Sequence, residues 1–480
     1  MRRNGRTACP DGKIVVYYII KLNGETPSRE SSWNGGIRMP FIKKNARPAE
    51  PDLRRREKEA LRISPVRRIE RVAAAGRVCA ITFEDGPCRL PALPDRFRGK
   101  PLTLVLAEML ERYGAKGTFA VVGDTSGNYP DRPGRAGSSS WNGAAWDHFP
   151  DFGRDGQGGA VRCPELISRL LAGGHEIASH GYAHVPFGWT AAQGVRRYLP
   201  DLGGVMTDLR RLHKVMEDGW GYPLRLSRPP RGVDNIKGGF SSYDAYALMG
   251  YQYLAAGFDG AGRAPMGSYE AEVGAVWQPM ERLLLEDPDA FCGQIILMKD
   301  GCNMARRTPV ADGLERQLRL LSDQGYRVVT VSELLEQAPF RDVTADSGYG
   351  RAALRLLGLG WCPAFQDNTL RPEAVLTRGE LAMMAYGWET VRRRVELIRA
   401  GKAPFRDMGP RDPYAAAAAL AVETGSMAAP GGRFRPDAAV TPVELAQFCA
   451  TRLGRTPPLG GWEKISHGEF FLLVVGLLGD

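Results

Sequence analysis

The chain has 480 residues, 43% hydrophobic and 25% charged, values that suit a globular protein of two or three domains and exclude a disordered or fibrous one. No apolar run approaches the roughly 20 residues of a membrane-spanning helix, so no transmembrane segment is expected. The net charge of +10 falls on residues 1–76, where 18 Lys and Arg stand against 8 Asp and Glu; the remainder is neutral. A solvated basic arm, as in Arg54-Arg-Arg-Glu-Lys58, accounts for that excess, and no aromatic interleaving suggests a nucleic-acid partner.

In chain order, the first apolar run is Ile14–Ile20. It is short, is followed by Lys21 and lacks a small-residue cleavage site, so it reads as a strand and no clear signal peptide is expected. From residue 77, apolar strand-like runs recur at Arg77–Asp85, Lys116–Gly123, His175–His180, Arg225–Pro230, Tyr251–Asp259, Gln294–Asp300 and Tyr326–Val331. Helices are expected between them at Thr103–Tyr113, Cys163–Ala172, Val205–Glu217, Ser242–Met249 and Asp312–Gln324. Strands alternating with helices predict a parallel sheet, and seven such units close into a barrel. Residues 124–161, rich in Gly, Ser, Asp and Trp, form a long inserted loop of the kind that serves as a lid or binding loop.

Catalytic groups of such barrels sit at the C-terminal ends of strands. Glu84-Asp85, His180, Arg228-Pro-Pro230, Asp259 and Lys299-Asp300 all fall there. Three of the six histidines, His175, His180 and His184, lie within ten residues. If the backbone after His180 turns helical, His180 and His184 share one face, and a carboxylate from Glu84-Asp85 completes a two-His, one-carboxylate metal site with open positions. The eight cysteines (9, 79, 88, 163, 292, 302, 362 and 449) show neither Cys-x-x-Cys nor zinc spacing and read as small core residues.

Beyond residue 338 the pattern changes. Pro339-Phe-Arg-Asp342 recurs as Pro404-Phe-Arg-Asp407, Leu370-Arg-Pro372 as Phe434-Arg-Pro436, and Thr377-Arg-Gly-Glu-Leu381 as Thr441-Pro-Val-Glu-Leu445. The offsets of 65, 64 and 64 residues define an internal repeat, and Ser466-His-Gly-Glu-Phe470 begins a third, partial copy. The Thr/Ser-x-x-Glu element is a helix capping box.

These motifs carry two resemblances. Thr82-Phe-Glu-Asp-Gly-Pro87, His180-x-x-x-His184, Arg228-Pro-Pro-Arg-Gly232 and Ile296-Leu-Met-Lys-Asp300 resemble, in order, the motifs of polysaccharide deacetylases with a NodB-like domain (carbohydrate esterase family 4). The resemblance implies an α/β fold, a distorted (β/α)7 barrel, in agreement with the strand count. It assigns Asp85, His180 and His184 as ligands of a divalent metal, zinc first, with cobalt or manganese as alternatives. Glu84 takes the place of the catalytic base, usually Asp, and Lys299 that of the general acid, usually His. Arg228 and Asp259 resemble the residues that orient the base and tune the acid; His175 aligns with a framework position.

The C-terminal segment resembles S-layer homology repeats, a small all-α domain that implies attachment to an anionic secondary cell-wall polymer. The expected organisation is a basic segment 1–76, a barrel 77–337, repeats at 339–400 and 404–456, and a partial repeat at 457–480. The implied activity is metal-dependent removal of N-acetyl groups from a cell-wall or related glycan, at the cell surface or wall. Two alternatives are a catalytically impaired wall-glycan-binding protein and a metal-dependent hydrolase of another N- or O-acyl substrate.

Overall fold

The computed structural model describes residues 62–92, 95–124, 157–189, 198–263, 265–301, 307–458 and 463–479, all within one compact unit, Leu53–Asp480. Most of the basic segment, the Ile14–Ile20 run, most of the 124–161 loop, Cys9 and Cys302 lie outside the described residues.

The strands are β1 (Arg68–Ile69), β2 (Val78–Glu84), β3 (Gly117–Val121), β4 (Glu176–Ser179), β5 (Leu226–Ser227), β6 (Asn235–Ile236), β7 (Phe240–Ser241), β8 (Gln252–Leu254), β9 (Phe258–Asp259), β10 (Ile295–Lys299) and β11 (Arg327–Val329). Nine of them form a parallel, curled sheet in the order β1-β8-β5-β4-β3-β2-β10-β9, with β11 also on β2, and β6 and β7 form a separate hairpin. Together with its helices this is the distorted (β/α)7 barrel, followed by an additional helical region.

The distortion has a specific place. β11 pairs with β2 at Val78–Ala80, whereas β3 pairs with β2 further along at Ile81–Glu84, so β11 wedges in at the base of the sheet. All seven expected strands are present, with Tyr251–Asp259 divided into β8 and β9. The sequence reading did not anticipate β1, drawn from the basic stretch, whose Ile69 pairs with Leu254. Nor did it anticipate the 18-residue helix Tyr269–Glu286, which carries Pro279 inside.

Alternation along β2 separates packing from chemistry. Cys79, Ile81 and Phe83 face the helices and join the larger core cluster. Val78 and Ala80 face the barrel interior with Ala120, Ala178, Leu254 and Ile295. Side chains alternate faces with period two, so Thr82 and Glu84 continue the interior row towards the mouth. The base of the barrel is plugged by helix Val331–Gln337, which contributes Val331 and Leu334.

The helical region has its own core, including Phe365, Tyr386, Phe434, Phe448 and Phe470. Its repeat is visible in hydrogen bonds. Asp342 accepts from the backbone N–H of Leu370 and Arg371, and Asp407 likewise from Phe434 and Arg435. Thr377, Thr441 and Ser466 each open a helix with a reciprocal Glu three residues on.

Candidate metal centre and active site

In an extended strand, Glu84 and Asp85 would point to opposite faces. The chain avoids this because Asp85 adopts φ 78°, a left-handed conformation that Asp tolerates better than most residues. The turn brings its carboxylate to the barrel mouth. Gly86 follows under constraint: a Cβ there would stand 2.0 Å from Asp300 Oδ2.

His180 ends β4. Its Nδ1 lies 3.0 Å from the Arg228 carbonyl oxygen, which fixes Nδ1 as the donor and leaves the Nε2 lone pair for a ligand. The two imidazoles come together through a loop, not through the helical turn that their spacing suggested. Gly181 (φ 77°) and His184 (φ 54°) bend that loop, and the ring centroids lie 5.0 Å apart. Asp208 clamps it, accepting from the N–H of Tyr182 at 2.7 Å and of Ala183 at 3.0 Å.

The outcome is a cluster in which donor atoms of Asp85, His180 and His184 all lie within 4.8 Å of one another. Nε2 of His180 and of His184 stand 3.3 and 3.2 Å from Asp85 Oδ1. Two imidazoles and one carboxylate, with an Nδ1 already tied to a carbonyl, fit a divalent cation. Burial would raise the Asp85 carboxyl, but the Lys299 ammonium beside it holds it well below the usual carboxylate range. Burial keeps His184 below the ordinary histidine value, favouring the neutral, ligating form.

The Lys299 ammonium pairs with Asp85 Oδ2, the oxygen turned away from the imidazoles. Glu84 lies beside Lys299 in register on β2 and β10. Burial acts to raise Glu84, yet Arg263, helped by His180 and Arg228, leaves it below its ordinary value and ionised. Arg228 is anchored by Thr82 Oγ1 at 2.8 Å and by the carbonyls of Leu254 and Ala255; its Nη1 stands 3.8 Å from Glu84 Oε2. Asp259 does not meet Lys299. It accepts from Arg263 Nη1 at 2.5 Å and from the Ala261 N–H at 3.0 Å.

His175 is buried below the mouth, where Nδ1 accepts from the Gly117 N–H at 3.1 Å and the ring edge meets Phe119. That is a framework position. Asp300 is also buried, bonded by Thr103, and burial pushes its carboxyl up to about 7. Sequence reasoning missed Arg263 and Asp208. Neither belongs to a motif, and only the fold brings them to the site.

The family model described as Polysaccharide deacetylase matches residues 71–253. No curated protein matches the chain. Among solved structures, peptidoglycan deacetylase PdaC from Bacillus subtilis is 20% identical, with 55% of this chain and 93% of that one covered at a TM-score of 0.35. The Xyl-CE4 domain of a multidomain xylanase from the hindgut metagenome of Trinervitermes trinervoides gives 20%, 56%, 94% and 0.35 in the same order. A CE4 family pseudoenzyme from Bacillus anthracis gives 14%, 57%, 70% and 0.36. Residues 71–253, which carry Glu84-Asp85, His180, His184 and Arg228, are a polysaccharide deacetylase domain.

Proposed function

We propose that the chain is a divalent-metal-dependent hydrolase that removes N-acetyl groups from a cell-wall or related polysaccharide. The observation that carries this reading is the convergence of Asp85, His180 and His184 at one end of the sheet, beside an ionised Glu84. A metal in that triad would supply Lewis acidity towards the acyl oxygen and acidify a water. Glu84 is the group that takes the water's proton at a carboxylate oxygen, and its pairing with Arg263 keeps it charged for that task. Lys299 Nζ stands at the mouth and is the donor to the leaving amine. Asp85, His180 and His184 hold the ion, with zinc first and cobalt or manganese as alternatives.

The C-terminal repeats attach the protein to an anionic secondary wall polymer at the cell surface. Exposed Arg433 and Arg435 beside the Asp407 clamp are consistent with such a partner. Two contacts favour a second reading, a wall-glycan-binding protein with a disabled centre: the Lys299 ammonium is engaged by the Asp85 carboxylate, and Asp259 is engaged by Arg263. Acetate release from acetylated chito-oligosaccharide, peptidoglycan and O-acetyl xylan, with and without a chelator, separates the readings. Chelator-sensitive release from the first two supports the N-deacetylase. Release from xylan alone points to an O-acyl substrate, and glycan binding without release points to the disabled centre.

A further inference from the structure

Glu84 is one methylene longer than the aspartate that the motif usually carries, so its carboxylate reaches ~1.5 Å further from the strand. In this chain the extra length has a visible consequence. The Glu84 carboxylate makes no hydrogen bond to Arg228: Oε2 remains 3.8 Å from Nη1, and that buried nitrogen has no hydrogen-bond partner. Oε1 instead accepts from Arg263 Nη2 at 2.8 Å.

Arg263 is placed to receive it. The Asp259 side chain fixes the turn that follows β9 through the Ala261 N–H, and Gly262 passes at φ 58°, where a Cβ would stand 2.5 Å from Val276 Cγ2. The same Asp259 carboxylate then anchors Arg263 Nη1 at 2.5 Å, leaving the other arm of the guanidinium for Glu84. A planar fork held at one end by a carboxylate is a rigid donor at the other.

We propose that Arg263 is the positioning residue for Glu84, so that the Glu at position 84 and the Arg at position 263 work as a matched pair in which Arg263 does the orienting that Arg228 would do for a shorter base. The inference rests on the deacetylase reading for its kinetic consequence, but not for the pairing itself.

The test is a double-mutant cycle in the full-length metal-loaded protein. Arg263→Ala is expected to lower kcat by ~10–100-fold, the scale of a ~1 Å misplacement, with KM within a few-fold; Arg263→Lys recovers part of the loss. In a Glu84→Asp background, where Arg228 can reach the shorter carboxylate, the further loss from Arg263→Ala shrinks to under ~3-fold, a non-additivity expected of touching residues. Equal losses in the two backgrounds overturn the proposal. A second cycle reads melting temperature in Glu84→Gln, Arg263→Gln and the double variant, and needs no turnover. Non-additive shifts support the pair and additive shifts overturn it. If the wild type releases no acetate while the melting cycle is non-additive, the deacetylase reading fails and the pairing stands.

Discussion

Asp85, at φ 78°, turns its carboxylate to the same side as Glu84, and its Oδ1 is the point at which both imidazoles aim. Removing any one of the three donors leaves two ligands on a mouth lined with cations, so Asp85→Ala, His180→Ala and His184→Ala should each abolish stoichiometric divalent metal. Elemental analysis after dialysis measures this, and stoichiometric ion in any of the three variants would contradict the triad. Asp208 acts at one remove. Burial pushes its carboxyl up to about 6 even though two N–H groups donate to it. Because the folded value lies above the ~3.9 of an unfolded aspartate, the folded state binds the extra proton between those values. Its contribution to stability is therefore greatest below pH ~4 and declines as pH rises to about 6. Asp208→Asn should abolish that decline, seen as a flatter stability profile in urea titrations from pH 4 to 7. It also sets an amide N–H against one of the two loop donors, so metal affinity should fall by ~10-fold or more. The triad was legible in the sequence because metal chemistry demands those residue types at strand ends. Asp208 and Arg263 were not, since each sits far along the chain in a segment whose local pattern says only polar helix or turn.

At the scale of elements, the repeats explain why a motif arginine is buried. Arg378, 1% exposed, sits over the Phe434 ring, donates to the carbonyls of Phe434 and Ala428 and pairs with Glu444, the capping glutamate of the next copy. The same position in the third copy is His467, whose Nε2 meets Glu380, the capping glutamate of the first, at 3.2 Å. The second copy has Pro442 there and makes no such link. Truncating this buried guanidinium empties its site over Phe434 and strips the Phe434 carbonyl of its donor, a loss of ~1–3 kcal/mol. Arg378→Ala should therefore destabilise the helical region by that order in denaturant unfolding, while exposed Arg435→Ala should change it by less than ~0.5 kcal/mol. Comparable effects would mean that the buried fork contributes little. The 64-residue offsets disclosed the copies, and capping boxes disclosed their helix starts, because both are local signals. The 18-residue helix Tyr269–Glu286 was hidden by Pro279, although Val273, Val276, Met280 and Leu284 mark its buried stripe. The two-residue strands β1, β6 and β7 are too short to carry a period, and only pairing defines them.

At the scale of the molecule, the sheet and the helical region are stitched together by residues that sequence periodicity treats as belonging to one or the other. Ile63 bridges to Phe365 and its N–H donates to the Tyr414 hydroxyl, so the chain just before the barrel is built into the repeats' core. Helix Val391–Ala400 returns the exchange: Val395 and Ile398 pack in the barrel's main cluster. Beside them Arg394 Nε donates to buried Asp244 at 2.7 Å, and Asp244 also completes the capping box of helix Ser242–Met249. Parts that share apolar burial and a part-buried ion pair across their contact should not melt independently. Calorimetry of the chain is expected to give one cooperative transition for the barrel and repeats. Arg394→Ala, which leaves Asp244 with only its local N–H and hydroxyl donors, should lower that one transition by ~1–3 kcal/mol of stability without dividing it. Two transitions in the wild type, with only the later part of the chain responding to Arg394→Ala, would show instead that the repeats fold as a unit of their own.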